Sequence, residues 1–174
     1  MNFLDIIIQT DRLRLVPVSM EFVNEMYEEL TDEIAKYLSF YPPESLDQEV
    51  KFVEKSRKDM KDKDAIVLSV LDKKTGEYLG NVSLNGIKKK APEMGIWIKK
   101  SAHGKRIGRE AAIGLKDWAF KNLELDHIFY TMNVENMPSK KIAEALGGKF
   151  IKTEERNFPS GKVQLNHFYH VLPE

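Results

Sequence analysis

The 174-residue sequence contains no cysteine. This absence excludes disulfide bonds, thiolate metal sites and a cysteine nucleophile. Net charge is absent as well, because 27 lysine and arginine residues balance 27 aspartate and glutamate residues. A neutral chain has no broad attraction for nucleic acid or for an anionic membrane surface, so we expect neither as a partner.

Long apolar runs are also missing. No stretch approaches the roughly 20 residues that a membrane-spanning helix requires. The first residues hold a short apolar run that Asp5 interrupts, without the basic leader and cleavage site of a signal peptide. We therefore expect a cytoplasmic protein. Its length predicts a single domain over residues 1–174, because a chain of this size builds one core.

Apolar periodicity predicts alternating strands and helices. Strands are expected near 12–16, 65–71, 78–87, 93–98, 128–134, 150–154 and 165–171. Helices are expected near 22–30, 45–61, after Gly108 to about 122, and 137–146. In the helix at 45–61, the residues predicted to face inward are Leu46, Val50, Phe52 and Val53. This order predicts a mixed α+β fold with a largely antiparallel sheet flanked by helices.

A glycine- and arginine-rich junction follows the strand at 93–98 and reads His103-Gly104-Lys105-Arg106-Ile107-Gly108-Arg109. Unpaired N–H groups at a helix N-terminus attract phosphate, and glycine lets an anion approach the backbone closely. Alternatively, the glycines only permit a tight turn and the basic side chains face water. The spacing fits neither a Walker loop nor a dinucleotide fingerprint, since the glycines are four residues apart and Arg106 stands at the middle position.

This junction resembles the acetyl-coenzyme A pyrophosphate loop of the GNAT acetyltransferases, whose pattern is Gln/Arg-x-x-Gly-x-Gly/Ala. Two positions depart from the pattern, because His103 replaces the glutamine or arginine and Arg106 replaces the middle glycine. Other segments resemble the RimJ/RimL-like branch of the family: Thr10 to Leu15, Glu93 to Ile98, Asn136-Met137-Pro138-Ser139 and Ala145-Leu146-Gly147. The resemblance thus extends over nearly the whole chain.

The resemblance implies a GNAT-type fold whose central strand splays away from its neighbour. It also implies acetyl-CoA as the acetyl donor and direct attack by a primary amine on the thioester in a ternary complex, without a metal. Backbone groups near Ile96, Trp97 and Ile98 would bind the pantetheine arm and the acetyl carbonyl. The remaining coenzyme-binding residues implied by the resemblance are His103, Gly104, Lys105, Arg106, Ile107, Gly108, Arg109, Asn136 and Ser139.

Two side chains are candidates for catalysis. Glu93 lies on the opposite face of its strand from Met94, Ile96 and Ile98 and could act as a base through water, or it could pair with one of the lysines at 88–90. The resemblance directs the Ser139 hydroxyl toward the coenzyme sulfur, where it could protonate the thiolate, although it could simply satisfy a helix end. The tyrosine acid of many GNAT enzymes is replaced here by Ala143.

Deprotonating an α-amine of pKa about 7.7–8 at neutral pH costs roughly 1 kcal/mol, against roughly 4.6 kcal/mol for a lysine-like amine. A site without a strong base therefore favours an α-amine. The RimJ/RimL resemblance also points to protein or peptide N-termini, but the branch includes enzymes for polyamines, amino acids and antibiotics. The acceptor pocket would be built from residues 39–46 and 157–164. A neutral surface is compatible with a monomer or a homodimer.

Two other functions remain open. The departures at His103 and Arg106, with the missing tyrosine, would also suit a non-catalytic acyl-CoA-binding or sensing module. A nucleotide-binding protein unrelated to acetyl transfer is the third hypothesis. Several other side chains could line a substrate pocket, but each is more often a packing residue: Arg12, Tyr27, Tyr41, His127, Tyr130, His167, Tyr169 and His170.

Overall fold

A computed structural model describes all 174 residues. Eight strands form one sheet: β1 (Ile8–Gln9), β2 (Leu13–Pro17), β3 (Ala65–Asp72), β4 (Tyr78–Asn85), β5 (Glu93–Ile98), β6 (Ile128–Asn133), β7 (Lys149–Asn157) and β8 (Val163–Val171). The α-helices are α1 (Val23–Glu29), α2 (Asp32–Ala35), α3 (Leu46–Lys61), α4 (Ile107–Asn122) and α5 (Met137–Ala145). Short 3₁₀ helices occupy Phe3–Asp5, Met20–Phe22, Ile87–Lys89 and Lys100–Ala102. None of the helices combines the length and apolar character needed to cross a membrane.

The strand order in the sheet is β1-β2-β3-β4-β5-β6-β8-β7. All neighbouring strands are antiparallel except β5 and β6, which run parallel. This topology confirms the predicted α+β fold with a mostly antiparallel sheet. The predicted strands at 150–154 and 165–171 are both longer in the structure, because β7 continues to Asn157 and β8 already begins at Val163.

Helices cover both faces of the sheet. Ile96 and Ile98 of β5 face α4, because a Cβ added to Gly108 in α4 would lie 3.4–3.5 Å from both side chains. Trp97 points to the opposite face, where it contacts the ring of Tyr78 edge-on. The strand β3 is buried from Ala65 to Leu71, as expected for a strand covered on both sides.

Helix α3 begins where the sequence predicts, because the Ser45 hydroxyl accepts the N–H of Gln48 as an N-cap. Two of its predicted inward residues were wrong, since Leu46 and Phe52 are each 40% exposed. Phe52 lies about 100° around the helix from Val53 and is therefore outside the buried side of α3. Leu46 lies in the exposed first turn. The residues that α3 buries are Glu49, Val53, Ser56 and Met60.

The parallel strands β5 and β6 separate soon after they meet. Their register pairs only Glu93 with Phe129 and Met94 with Tyr130. On its other side β5 pairs with β4 along its whole length, up to Ile98. Residues 95–98 therefore have no strand partner toward β6, which confirms the predicted splay. Such a free strand edge can accept an extended ligand through backbone hydrogen bonds.

Candidate active site

The predicted phosphate loop lies at the start of α4, beside the opening between β5 and β6. Gly104 and Arg106 both have left-handed backbone conformations, with φ of +77° and +59°. Arg106 is the N-cap of α4, and its side chain makes no capping hydrogen bond. The first N–H groups of a helix have no intrahelical partner, so they stay available to an anion.

The conformation of Arg106 explains why a glycine suits this position. A left-handed conformation costs a non-glycine residue about 1–2 kcal/mol. The loop nevertheless holds Arg106 in that conformation. Although Arg106 departs from the glycine pattern, the backbone therefore follows the path that a glycine would take. The backbone N–H groups of the loop are thus still arranged around the helix start.

The side chain of His103 is occupied by the protein itself. Its Nε2 atom lies 2.7 Å from the carbonyl oxygen of Ile98 at the end of β5. Because a carbonyl can only accept, Nε2 carries the proton and donates it. The imidazole ties the phosphate loop to the splayed strand.

A second tie, which the sequence did not suggest, joins the loop to the N-terminal turn. Glu110 of α4 accepts hydrogen bonds from Thr10 Oγ1 at 2.5 Å, from Arg12 N–H at 2.8 Å and from Arg12 Nε at 2.7 Å. Arg12 also donates through Nη1 to the carbonyl oxygen of Lys105 at 3.0 Å. Burial opposes the charge on Glu110, but the hydrogen bonds from Thr10 and Arg12 outweigh it and lower its pKa. Arg12 therefore braces the phosphate loop, and it also lines the cleft between the N-terminal turn and α4.

The start of α5 contributes the second group of predicted residues. The Asn136 side chain accepts the N–H of Ser139 at 3.3 Å, so Asn136 is the N-cap of α5. Ser139 Oγ lies 2.9 Å from the hydroxyl of Tyr130, which projects from β6. Burial raises the pKa of Tyr130 to about 12, although the bond to Ser139 opposes the shift. Ala143, one turn beyond Ser139, is fully buried.

Glu93 lies at the other end of the opening, where β5 still pairs with β6. Its carboxylate accepts from Arg156 Nη1 at 2.7 Å, from Arg156 Nη2 at 3.3 Å and from the Thr131 hydroxyl. The guanidinium of Arg156 also stacks near the rings of Phe158 and Phe168, at 4.7 and 5.5 Å. Glu93 thus pairs with an arginine from β7 and not with a lysine of 88–90. Arg156 is 63 residues away in sequence, so no local pattern signalled it.

The two segments predicted to build an acceptor pocket contact each other. Ser160 Oγ donates to the carbonyl oxygen of Ser39 at 2.6 Å. Lys162 Nζ donates to the carbonyl oxygens of Ala35 at 2.7 Å and Leu38 at 3.2 Å, and Gln164 Nε2 also donates to Leu38 at 3.2 Å. Burial lowers the pKa of Lys162. These hydrogen bonds form a clasp between the turn that joins β7 to β8 and the segment that follows α2.

The face of β8 beneath this clasp carries polar groups without partners. The side-chain oxygens of Gln164 and Asn166 are buried and accept no hydrogen bond. Both side chains lie on the same face of β8 as Phe168, which stacks on Arg156. The region near Glu93 therefore combines a carboxylate with a guanidinium, and the two amide oxygens of β8 are buried on the same face of that strand.

Comparison with known proteins agrees with this geometry. Residues 12–149 match the acetyltransferase (GNAT) domain family. The chain is 26% identical over 140 residues to the uncharacterized N-acetyltransferase p20 of Bacillus licheniformis, covering 79% of each protein.

Two solved structures have similar folds at low sequence identity. One is RimL, a ribosomal α-N-protein acetyltransferase in complex with coenzyme A, with a TM-score of 0.85 and 16% identity over 96% of this chain and 98% of that one. The other is the microcin C7 self-immunity acetyltransferase MccE in complex with acetyl-CoA and AMP, with a TM-score of 0.82 and 20% identity over 94% of each chain.

Proposed function

The chain belongs to the GNAT acetyltransferase family and is an acetyl-CoA-dependent N-acetyltransferase, and from this premise we propose that its acceptor is the α-amine of a protein or peptide N-terminus. The observation that carries the proposal is the opening between β5 and β6, with the free helix start of α4 on one side and Ser139 on the other. Acetyl-CoA supplies the activated acetyl group, and the chain itself supplies binding and proton transfer.

The coenzyme fits the free groups that the structure offers. Residues 95–98 of β5 have no strand partner toward β6, and apart from the Ile98 carbonyl, which accepts from His103, their backbone edge suits a pantetheine arm with its two amides. The N–H groups around Gly104 and Gly108 suit a pyrophosphate, and a Cβ at Gly104 would meet only open space. Lys105, Arg106 and Arg109 add positive charge beside these N–H groups. The side chain of His103 binds Ile98, so its contribution to coenzyme binding is to fix the loop.

Proton transfer in this proposal uses two side chains. The hydroxyl of Ser139 donates its proton to the departing thiolate, in the role that general acids play for poor leaving groups. Glu93 receives the proton of the attacking amine through water while Arg156 and Thr131 hold its carboxylate in place. A carboxylate is in general a weak base, which favours an amine whose neutral form costs little free energy to reach at physiological pH.

An α-amine satisfies that condition. Its deprotonation at neutral pH costs roughly 1 kcal/mol, against roughly 4.6 kcal/mol for a lysine side chain. RimL, which has a similar fold, acts on a protein α-amine.

The test is an acetylation assay with acetyl-CoA, in which thiol release is measured and the products are identified by mass spectrometry. The panel contains short peptides with a free N-terminus, the same peptides with a blocked N-terminus and an internal lysine, and small amines such as polyamines, amino acids and aminoglycosides. We expect turnover of the free N-termini, about 100-fold slower in Ser139→Ala. Ser19→Ala is the matched control, since the Ser19 side chain makes no capping hydrogen bond.

Two results would contradict the proposal. Turnover of small amines alone would assign a different acceptor. Binding of acetyl-CoA without turnover of any amine would favour a sensing module. Coenzyme binding is measured separately by thermal unfolding, where acetyl-CoA at 100 times its Kd adds about 2.7 kcal/mol of stability.

A further inference from the structure

The proposed mechanism gives no role to the phenol of Tyr130, although this phenol lies next to Ser139, the proposed acid. Tyr130 is 1% exposed, and its hydroxyl lies 2.9 Å from Ser139 Oγ. The phenol hydroxyl has no other hydrogen-bond partner. Ser139 Oγ likewise has no other hydrogen-bond partner, and Ala143 on the same side of α5 carries no hydroxyl.

The direction of this hydrogen bond follows from burial. A buried donor without an acceptor is strongly unfavourable, whereas an oxygen with a spare lone pair is tolerated. If Ser139 donated to Tyr130, the phenol proton would have no acceptor in the structure. Tyr130 must therefore donate to Ser139 Oγ. A pKa of about 12 keeps the phenol protonated, and hence a donor, at every physiological pH.

This direction leaves the proton of Ser139 uncommitted. The N–H of Ser139 is bound by Asn136, so the residue is held at both its backbone and its side-chain oxygen. A serine near a helix start can otherwise turn its hydroxyl to a carbonyl of the preceding turn. With Oγ already accepting from Tyr130, its proton is directed away from β6.

We propose that Tyr130 is a positioning residue for acetyl transfer, which donates to Ser139 Oγ and so presents the Ser139 proton to the leaving sulfur. The inference rests on the proposed function. As the C–N bond forms and the C–S bond breaks, the electron pair leaves with sulfur, which takes the serine proton. Glu93 takes up the proton lost by the amine through water and then returns it through water to the serine, so both side chains regain their starting state, and Tyr130 keeps its own proton throughout. Its donated hydrogen bond also polarises the serine hydroxyl as the sulfur takes its proton.

The test compares Tyr130→Phe, Ser139→Ala and the double variant with the wild-type protein, using acetyl-CoA and a peptide with a free N-terminus. We expect Tyr130→Phe to lower kcat roughly 5- to 10-fold, as loss of one hydrogen bond implies. The KM for acetyl-CoA should change less than twofold, since the phenol is buried and acts only on Ser139 in this proposal. The double variant should be no slower than Ser139→Ala, because Tyr130 acts only through that hydroxyl.

A matched control separates this role from packing. Tyr78 is also buried, at 3% exposure, and its hydroxyl donates to Asn81 Oδ1 at 3.0 Å on the opposite face of the sheet. We expect Tyr78→Phe to lower the melting temperature about as much as Tyr130→Phe while leaving kcat unchanged. Phenylalanine keeps the ring in both variants, so each should fold, and circular dichroism checks that it does.

Three outcomes would overturn the inference. An unchanged kcat in Tyr130→Phe would remove the positioning role. A double variant slower than Ser139→Ala by the full factor seen in Tyr130→Phe would show that the two residues act independently. If wild-type protein acetylates no amine although acetyl-CoA raises its melting temperature, the proposed function itself fails and this inference fails with it.

Discussion

Replacing Glu110 should loosen the attachment of the phosphate loop to the N-terminal turn. The carboxylate accepts three hydrogen bonds, one from the Thr10 hydroxyl and two from Arg12. Glu110→Ala removes all three. Bonds to a charged acceptor contribute about 1.5–3 kcal/mol each when buried, but the Arg12 side chain is 50% exposed and can return to water. We therefore assign about 1 kcal/mol to each bond and about 3 kcal/mol to the set.

For a chain of this size, 1 kcal/mol corresponds to about 2–4 °C in melting temperature. Glu110→Ala should therefore melt roughly 6–12 °C below the wild-type protein at pH 7. Glu110→Gln should lower the melting temperature about a third as much. Its side-chain oxygen can still accept from Thr10 and from the Arg12 N–H, and only its NH₂ group, which faces Arg12 Nε, loses a hydrogen bond. The matched control is Glu154→Gln, since Glu154 and Lys152 form a surface pair with both side chains about half exposed. That change should be nearly neutral.

The stability that Glu110 contributes to the fold decreases at acidic pH. The folded-state pKa of Glu110 lies below its ordinary value of 4.5, so the ionised carboxylate stabilises the fold above that value. The stabilisation is lost as the pH falls through the folded-state pKa. A protonated glutamate resembles glutamine, so the gap between wild type and Glu110→Gln should narrow as the pH falls from 4.5 through the folded-state pKa.

Two assays check this prediction. Thermal unfolding by circular dichroism from pH 7 to pH 3 gives the melting temperatures, and titration with acetyl-CoA gives the affinity. We expect weaker coenzyme binding in Glu110→Ala, because Arg12 no longer holds the carbonyl of Lys105. An unchanged melting temperature for Glu110→Ala at pH 7 would refute the reasoning, as would a gap for Glu110→Gln that persists unchanged at pH 3.

Three further changes test the same structure. Gly80→Ala would place a Cβ 2.2 Å from the carbonyl oxygen of Trp97, so we expect a loss of about 3 kcal/mol in the free energy of unfolding, measured in urea. Gly108→Val should raise the Kd for acetyl-CoA and lower stability, because even one Cβ there would lie 3.3 Å from Ile142; an unchanged Kd by calorimetry would contradict this. Lys162→Met should raise the KM for the acceptor several-fold and leave that for acetyl-CoA unchanged in steady-state kinetics, because it opens the clasp on residues 35–39.

Local features of the sequence predicted local structure well. The starts of α3 and α5 lie close to the predicted ones because the side chains of Ser45 and Asn136 cap an N–H only three residues ahead, which is a local interaction. The bounds of β7 were harder to predict from the sequence, since almost all of its residues are exposed and its polar run has no apolar alternation. Its length depends on pairing with β8, which no periodicity in its own residues reveals.

The sequence by itself determined the family resemblance, the mixed α+β fold and the position of the phosphate loop, because these depend on residue types at short spacing. Only the tertiary structure decided the partners of the site residues: Arg156 for Glu93, Arg12 for Glu110 and Tyr130 for Ser139. Side-chain alternation predicts which face a residue occupies, but strand order, register and helix packing determine what it meets there. Glu93 and Arg156 meet although β6 and β8 lie between their strands, because the Arg156 side chain reaches across the sheet to Glu93 and to Thr131 of β6.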